Sequence, residues 1–261
     1  MILTLDVGNS QIHGGLFMDD KLLFQFRKSS KQGNSSDEIG LFLRSVLAEK
    51  DVKPDQVKHV AFCSVVPDLI HSIGSATVKY FGSSPFLLRP GVKTGLKIRY
   101  RNPVEVGADR IANAIGALKM FPGKDLILVD LGTANTFCAI SKEREFLGGS
   151  IMPGLRLSME ALERETAQLP AVEIRQADVA LGRSTVEGIQ SGLYFGTLDA
   201  IRGFIGRFQN EAFGGRKAHV VGTGGFSRIF DSSGAFDAHV SELIHIGLIE
   251  ALRMNKEGTQ S

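Results

Sequence analysis

The chain has very little of three things that usually announce a function. It carries two cysteines, Cys63 and Cys138, in 261 residues. Both lie inside apolar, strand-like runs, which predicts buried free thiols rather than a disulfide and a cytoplasmic setting. No apolar stretch approaches the roughly 18–20 residues needed to cross a bilayer. The N-terminus opens directly on an apolar run without a basic leader, so no signal peptide and no membrane association are expected. The formal net charge is only +2. That is too small to argue for nucleic acid or an anionic membrane as a partner. The histidines are scattered without metal-site spacing, so no zinc centre is expected.

Two familiar nucleotide signatures are also missing. No G-x-x-x-x-G-K-[ST] occurs; Pro122-Gly123-Lys124-Asp125 lacks both the upstream glycine and the hydroxyl. A dinucleotide-binding unit would pass from its first strand through a glycine turn straight into a helix. Here the first strand is followed by two more before any helix. The predicted strands are 2–6, 12–18 and 21–27, then a helix at 36–50, a strand at 57–66, a helix at 68–80, a strand at 85–89 and a helix at 103–120. The second half opens the same way, with strands at 126–130, 136–141 and 145–151 and a helix at 155–168. A long helix at 185–212, a strand at 218–222, and a last strand and helix at 237–240 and 243–254 follow.

What the chain does have is a repeated phrase. Ile2-Leu3-Thr4-Leu5-Asp6-Val7-Gly8-Asn9-Ser10 and Ile127-Leu128-Val129-Asp130-Leu131-Gly132-Thr133-Ala134-Asn135-Thr136 are both β-prone runs ending in Asp-x-Gly and small polar residues. Asp6 and Asp130 are separated by close to half of the 261 residues. A strand that ends in a carboxylate and turns through glycine sets bare backbone N–H groups beside a cation-attracting oxygen, as a nucleoside triphosphate requires. One such turn could be an ordinary hairpin; two in register with a repeated topology argue for phosphate. The expected organisation is two domains, 1–121 and 122–261, joined near Phe121-Pro122-Gly123-Lys124. This α/β plan, two mixed sheets of β-β-β-α-β-α-β order, resembles the acetate kinase, sugar kinase, Hsp70 and actin superfamily. The resemblance implies two duplicated actin-like (ribonuclease H-like) domains with ATP in an interdomain cleft.

A third run, Tyr100-Arg101-Asn102-Pro103-Val104-Glu105-Val106-Gly107-Ala108-Asp109-Arg110, reads as a helix start. Asn102 is the expected cap, Pro103 sits in the first turn, and Val104, Ala108, Ile111, Ile115 and Leu118 form the expected buried stripe. That would put Asp109 and Asn113 on the adjoining face. An Asp beside an Arg suits phosphoryl transfer to an alcohol: the carboxylate takes the hydroxyl proton while the guanidinium holds an anionic acceptor.

Taken in order, Asp6 to Ser10, Asn102-Pro103, Val106 to Arg110, Asp130 to Ala134 and Gly149-Ser150-Ile151-Met152-Pro153-Gly154 resemble the type III pantothenate kinases, over Met1 to about Arg253. The resemblance implies transfer of the ATP γ-phosphoryl group to pantothenate, the first step of coenzyme A synthesis, by a homodimer that uses Mg²⁺ and a monovalent cation, K⁺ or NH₄⁺. By position it makes Asp6, Val7, Gly8, Asn9, Ser10, Gln11, Ile12 and His13 the first ATP loop, with Thr133 on an ATP phosphate. Tyr100, Gly107, Ala108, Asp109, Arg110 and Thr185 would contact pantothenate, with Asp109 as proton acceptor. Asp130 would hold the monovalent cation and Asp6 the magnesium through water. Gly222-Thr223-Gly224-Gly225 would suit the adenosine side. Thr185 also reads as part of a capping box, Ser184 to Glu187, which is an alternative origin for that motif. Asn135 departs from the family pattern, where threonine or a small apolar residue is more usual.

The competing reading is a nucleotide-dependent switch or regulator of the same superfamily; members of the family have been called accessory transcription factors. The helix at 185–212 carries Ile189, Leu193, Phe195, Leu198, Ile201, Phe204, Ile205 and Phe208, more apolar residues than one buried stripe needs. A helix buried centrally within one subunit would look the same; the homodimer that the resemblance implies tips the expectation toward Phe195 and Phe208 facing a second subunit.

Overall fold

The computed structural model describes residues 1–31 and 34–256. The chain divides into two compact units. The first comprises Met1–Leu96, Asn102–Met120 and the segment from Leu243 onward; the second comprises Lys97–Arg101 and Phe121–Glu242.

In the first unit, β1 (Ile2–Val7), β2 (Gln11–Met18) and β3 (Lys21–Ser29) form an antiparallel meander, followed by α1 (Ser36–Ala48), β4 (His59–Ser64), α2 (Pro67–Phe81) and β5 (Phe86–Leu87). The sheet order is β3-β2-β1-β4-β5, with β4 and β5 parallel to β1. The central strand β1 is therefore covered on both faces. Its odd positions Leu3, Leu5 and Val7 enter a core with Ile12, Leu16, Ile39, Leu43 and Ile73, supplied by β2, α1 and α2. Its even positions Thr4 and Asp6 look to the opposite face, where α6 (Leu243–Lys256) and α3 (Ala108–Met120) lie. The entry to α1 is fixed by a reciprocal capping box, in which the Ser35 hydroxyl accepts from the Glu38 N–H and the Glu38 carboxylate accepts from the Ser35 N–H.

The second unit repeats the plan with β7 (Leu126–Leu131), β8 (Ala134–Ile140), β9 (Glu145–Pro153), α4 (Leu155–Glu165), α5 (Thr185–Phe213), β10 (His219–Thr223) and β11 (Ala238–His239). Its order, β11-β10-β7-β8-β9-β6, matches the first sheet strand for strand once the short edge strand β6 (Lys97–Ile98) is set aside. Directions match as well: β8 runs antiparallel to β7, and β10 parallel to it. The expected α/β duplication is what the chain folds into. The halves differ in detail, since α4 and α5 both precede β10, and a 3-10 segment, Ser227–Ser233, stands where the first unit has α2.

Two local expectations are corrected. The segment 103–120 is not one helix: Pro103–Glu105 forms a 3-10 turn, and α3 begins only at Ala108. Val104 is consequently exposed, and the Asn102 amide bonds the Glu105 carboxylate instead of capping backbone. The surplus apolar residues of α5 are also absorbed locally, because Phe195, Phe204, Ile205 and Phe208 pack against the core of their own unit.

The closest approach in the first unit is between α3 and α6. A Cβ built on Gly247 would lie 1.8 Å from the Ala112 carbonyl oxygen, and one on Gly116 would lie 2.3 Å from that of Leu243. The backbones touch where no side chain could fit, which fixes the crossing. Gly247→Ala should therefore separate the helices and cost about 1–3 kcal/mol of stability, as over-packing does. Urea denaturation measures this; a midpoint unchanged from wild type would show that the crossing adjusts freely.

Candidate active site

The first Asp-x-Gly turn is tighter than the eight-residue loop expected. The Gly8 N–H donates to the Gln11 carbonyl at 3.0 Å, so only residues 8–11 form the turn. The far end of β3 braces it: the Ser30 hydroxyl donates to the Gly8 carbonyl at 2.7 Å, and the Ser30 N–H donates to the Ser10 carbonyl at 3.1 Å. Asn9 and Gln11 are exposed at the tip, and Ser10 is half-buried beside them. Val7 and Ile12 bury their side chains in the core, so they offer a ligand backbone only. His13 lies on β2 and is buried, with its ring edge-on to His245 at 4.5 Å between centroids.

Asp6 ends β1 opposite Cys63 of β4, whose thiol donates to the Asp6 Oδ1 at 3.5 Å. Burial, with the carboxylates of Asp6 and Asp109 adding to it, pushes the Cys63 thiol well above its ordinary range. The strand pairing brings Asp6 to Cys63, and α3, packed against β4, brings the charge of Asp109 to bear on the same thiol. Asp109 stands in the first turn of α3, because the helix starts at Ala108, and its Oδ1 accepts the Arg110 N–H at 2.8 Å. A Cβ on Gly107 would come within 2.4 Å of that same oxygen, so the carboxylate as placed folds back over Gly107. Burial raises the Asp109 carboxyl above the usual carboxylate range, opposed by the backbone N–H and the charge of Arg110. A carboxylate held this way is more basic than one in water, the direction of tuning required of a general base. Arg110 is itself buried, on a helix that is buried nearly all round.

In the second unit Asp130 takes the position corresponding to Asp6, opposite Thr136 on β8 and Thr223 on β10. Gly224, immediately after β10, has φ +90°, and a Cβ there would fall 2.4 Å from the Asp130 Oδ1 and 2.6 Å from the Leu131 nitrogen. The exit turn of β10 therefore lies flat on the carboxylate, which requires glycine for both conformation and space. The turn is closed by Gly132 N–H to the Ala134 carbonyl at 3.3 Å, and the Gly154 N–H anchors the Thr133 carbonyl at 3.0 Å, leaving the Thr133 side chain exposed. Asn135 is fully buried on the face shared with Phe137, and neither of its amide atoms has a hydrogen-bond partner among the described residues. Tyr100 follows β6 and packs on Phe146, with ring centroids 5.8 Å apart. Thr185 is the exposed first residue of α5, whose cap is Ser184. It lines a groove of about 860 Å³ between α4 and α5, with Met152, Leu162, Gly188, Gly192 and Gly196. Cys63 was expected only as a buried thiol and Gly224 only for the adenosine side; their places beside Asp6 and Asp130 were marked in the sequence only by their positions at or just beyond the ends of the two strands parallel to β1 and β7.

The profile of the type III pantothenate kinases matches residues 2–207. The chain belongs to that family. Type III pantothenate kinases similar to it include one from Legionella pneumophila (strain Corby), 53% identical over 98% of this chain and 99% of its own. One from Elusimicrobium minutum is 46% identical over 98% and 99%, and one named type III pantothenate kinase 1 from Francisella tularensis subsp. holarctica (strain OSU18) is 43% identical over 98% and 100%. Among solved structures, a protein described as a Baf family transcriptional activator from Campylobacter jejuni aligns with TM-score 0.62 at 20% identity, over 98% of this chain and 99% of that one. At that identity the likeness speaks for the fold alone.

The buried histidines of this type III pantothenate kinase family member make its stability depend on pH. Burial, with the charge of Arg27, holds His13 down at about 4, and His245 is pushed well below the ordinary imidazole value by burial and its neighbours. The unfolded chain binds protons on both rings as pH falls below about 6.5, whereas the native state does not. Their contribution is thus complete above that pH and lost as the solution is acidified toward the folded values. His13 alone should remove about 2 kcal/mol between pH 7 and pH 5. Thermal unfolding in matched ionic strength should show the fall; a melting temperature level across that range would refute it.

Proposed function

We propose that this chain transfers the γ-phosphoryl group of ATP to the primary hydroxyl of pantothenate, giving 4′-phosphopantothenate in coenzyme A synthesis. The observation that carries the reading is the half-buried Asp109 at the start of α3, its carboxyl raised by desolvation, in the same unit as the Asp6 turn, in a chain of the type III pantothenate kinase family. Asp109 accepts the hydroxyl proton as the oxygen attacks phosphorus, and Arg110 orients the acceptor's carboxylate. Tyr100, Gly107, Ala108 and Thr185 are the further residues assigned to pantothenate contact. Residues 6–13 and Thr133 hold ATP phosphates, chiefly through turn N–H groups, since Val7, Ile12 and His13 have their side chains buried. A half-buried carboxylate made more basic by desolvation favours this reading over a nucleotide switch, which needs no acceptor base.

The donor sets suit the cations such a reaction uses. Asp130, opposite Thr136 and Thr223 and under the Gly224 turn, offers carboxylate, hydroxyl and carbonyl oxygens fit for a hard monovalent ion, K⁺ or NH₄⁺. Asp6 can hold magnesium through water, and the bound Mg²⁺ would neutralise charge developing on the phosphates. The halves 1–121 and 122–261 are the units of duplication, with α6 and β6 packing outside their own halves. Residence in the cytoplasm fits the two free, buried thiols; no helix among the described residues is long and apolar enough to cross a membrane.

The second copy of a homodimer docks on the α4–α5 groove. Gly188, Gly192 and Gly196 form one exposed row on α5 with open space at each Cβ position, and Ile151, Val179 and Leu181 stand exposed in the same unit. A row of glycines lets another backbone come close, and the exposed apolar residues supply area to bury. Light scattering at micromolar concentration should give twice the 28.2 kDa of one chain, and Gly192→Arg should halve it; a wild-type mass of one chain would end the dimer proposal.

Asp109→Asn should lower kcat by about 10²–10⁴-fold, the contribution of a positioned base. Binding of a fluorescent ATP analogue should be nearly unchanged. Phosphopantothenate formation within a few-fold of wild type would remove Asp109 from the base role.

A further inference from the structure

The first unit contains a buried polar cluster that the phosphoryl-transfer chemistry does not use. Thr4, at the centre of β1, has no exposed surface, and its hydroxyl donates to the Gly15 carbonyl of β2 at 3.0 Å. Its single proton is committed there, because a carbonyl can only accept. His245 of α6, also fully buried, has its Nδ1 2.9 Å from the same hydroxyl oxygen. That nitrogen must therefore be the donor, which fixes the tautomer: Nδ1 carries the hydrogen and Nε2 is bare. The bare Nε2 of His245 has no hydrogen-bond partner among the described residues. A polar atom left so is a cost that a purely packing residue would not incur, since leucine would fill the space without it.

Position explains why the cost is tolerated. Thr4 lies two residues before Asp6 on β1, and its partner Gly15 lies two residues after His13 on β2. The imidazole therefore rests on both arms of the hairpin that carries the Gly8–Gln11 turn. A Cβ on Gly15 would lie 3.4 Å from the His245 Cδ2 and 3.3 Å from the Thr4 hydroxyl, so the ring lies against the strand at that point. His13 closes the arrangement, its ring edge-on to His245 at 4.5 Å. Two residues further along α6, Gly247 meets the backbone of Ala112 on α3, the helix that begins with Ala108 and Asp109.

We propose that His245 is a positioning residue for nucleotide binding: its Nδ1–H, held by Thr4, seats the β1–β2 hairpin on α6, so that the Gly8–Gln11 turn is ordered before ATP arrives. The inference rests on the reading of that turn as a phosphate-binding loop. The bond makes α6 the common support of the phosphate turn and of the helix bearing Asp109. It touches neither substrate, so its contribution is to the affinity for ATP and not to the chemical step.

Asparagine carries a donor near the place of a histidine Nδ1, whereas leucine fills the volume with none. Steady-state kinetics of purified His245→Leu should show KM for ATP raised about 3- to 10-fold, the contribution of one hydrogen bond. KM for pantothenate and kcat should stay within twofold, and His245→Asn should restore KM for ATP to within twofold of wild type. These values should hold whether the melting temperature of the leucine variant falls or, with the orphaned Nε2 gone, rises. An Asn9→Ala variant serves as control for the loop itself. If Asn9→Ala moves KM for ATP and His245→Leu does not, the positioning inference is overturned while the loop reading stands. If neither moves it, the loop reading fails and takes the inference with it. A His245→Asn variant as defective as His245→Leu would also overturn the inference, since the donor would then be irrelevant. Should His245→Leu fail to fold, Thr4→Val against Thr4→Ser reads the same bond from the other end. Serine should keep KM for ATP and valine should raise it, and equal values for the two would overturn the proposal.

Discussion

The structure depends on one arrangement made twice: a central strand that pairs antiparallel on one side and parallel on the other, with an aspartate as its last residue but one. β1 and β7 both do this. A strand paired on both edges and covered on both faces has no backbone group left for water, so its interior must be apolar or internally bonded. Only its C-terminal end is open to carry a carboxylate. The neighbours on the two sides diverge there, one turning back as a hairpin and the other leaving toward its helix or turn. That divergence makes room for Asp6 beside Cys63 and for Asp130 beneath Gly224.

The two copies have diverged in how they use the arrangement. In the first unit the face of β1 that bears Thr4 and Asp6 is closed by α6 and α3, whose backbones meet at Gly247 and Gly116. Rigid backbone contact of this kind leaves little freedom between the helix that starts with Ala108 and Asp109 and the helix that bears His245. In the second unit the elaboration is on the other side of the problem: α4 and the 29-residue α5 leave a groove lined by glycine. The aromatic residues of α5 turn inward, with Tyr194 stacked on Phe230 at 5.1 Å, so the outward row is free to be small. The first unit has built a polar support, and the second an open surface.

Much of this was legible in the sequence because it is written in local terms. Apolar, β-prone runs marked strands of the meanders, an apolar stripe marked the helix at 36–50, and the duplicated Asp-x-Gly phrases marked the two turns. The errors fall where local signals compete with packing. Asn102-Pro103-Val104-Glu105 has every mark of a helix start, yet Gly107 interrupts it so that the Asp109 carboxylate can fold back, and α3 begins at Ala108. The apolar excess of α5 pointed to a partner, but a core shared with β7, β8 and the 3-10 segment takes up those side chains. His13 reads as part of a loop and is buried in a strand, because the turn closes at Gln11.

The sequence by itself determined the strand pattern, the repeat, the family and the two aspartates, all properties carried by neighbouring residues along the chain. Only the tertiary structure decided what surrounds those aspartates. Cys63 is 57 residues from Asp6, and Gly224 follows the strand that parallels Asp130. His245 is 241 residues from the Thr4 it bonds. No periodicity reports such pairs, since each is created by strand pairing or helix packing. The tautomer of His245, the raised carboxyl of Asp109 and the glycine at 224 follow from those contacts, because hydrogen bonding, burial and close approach are properties of neighbours in space.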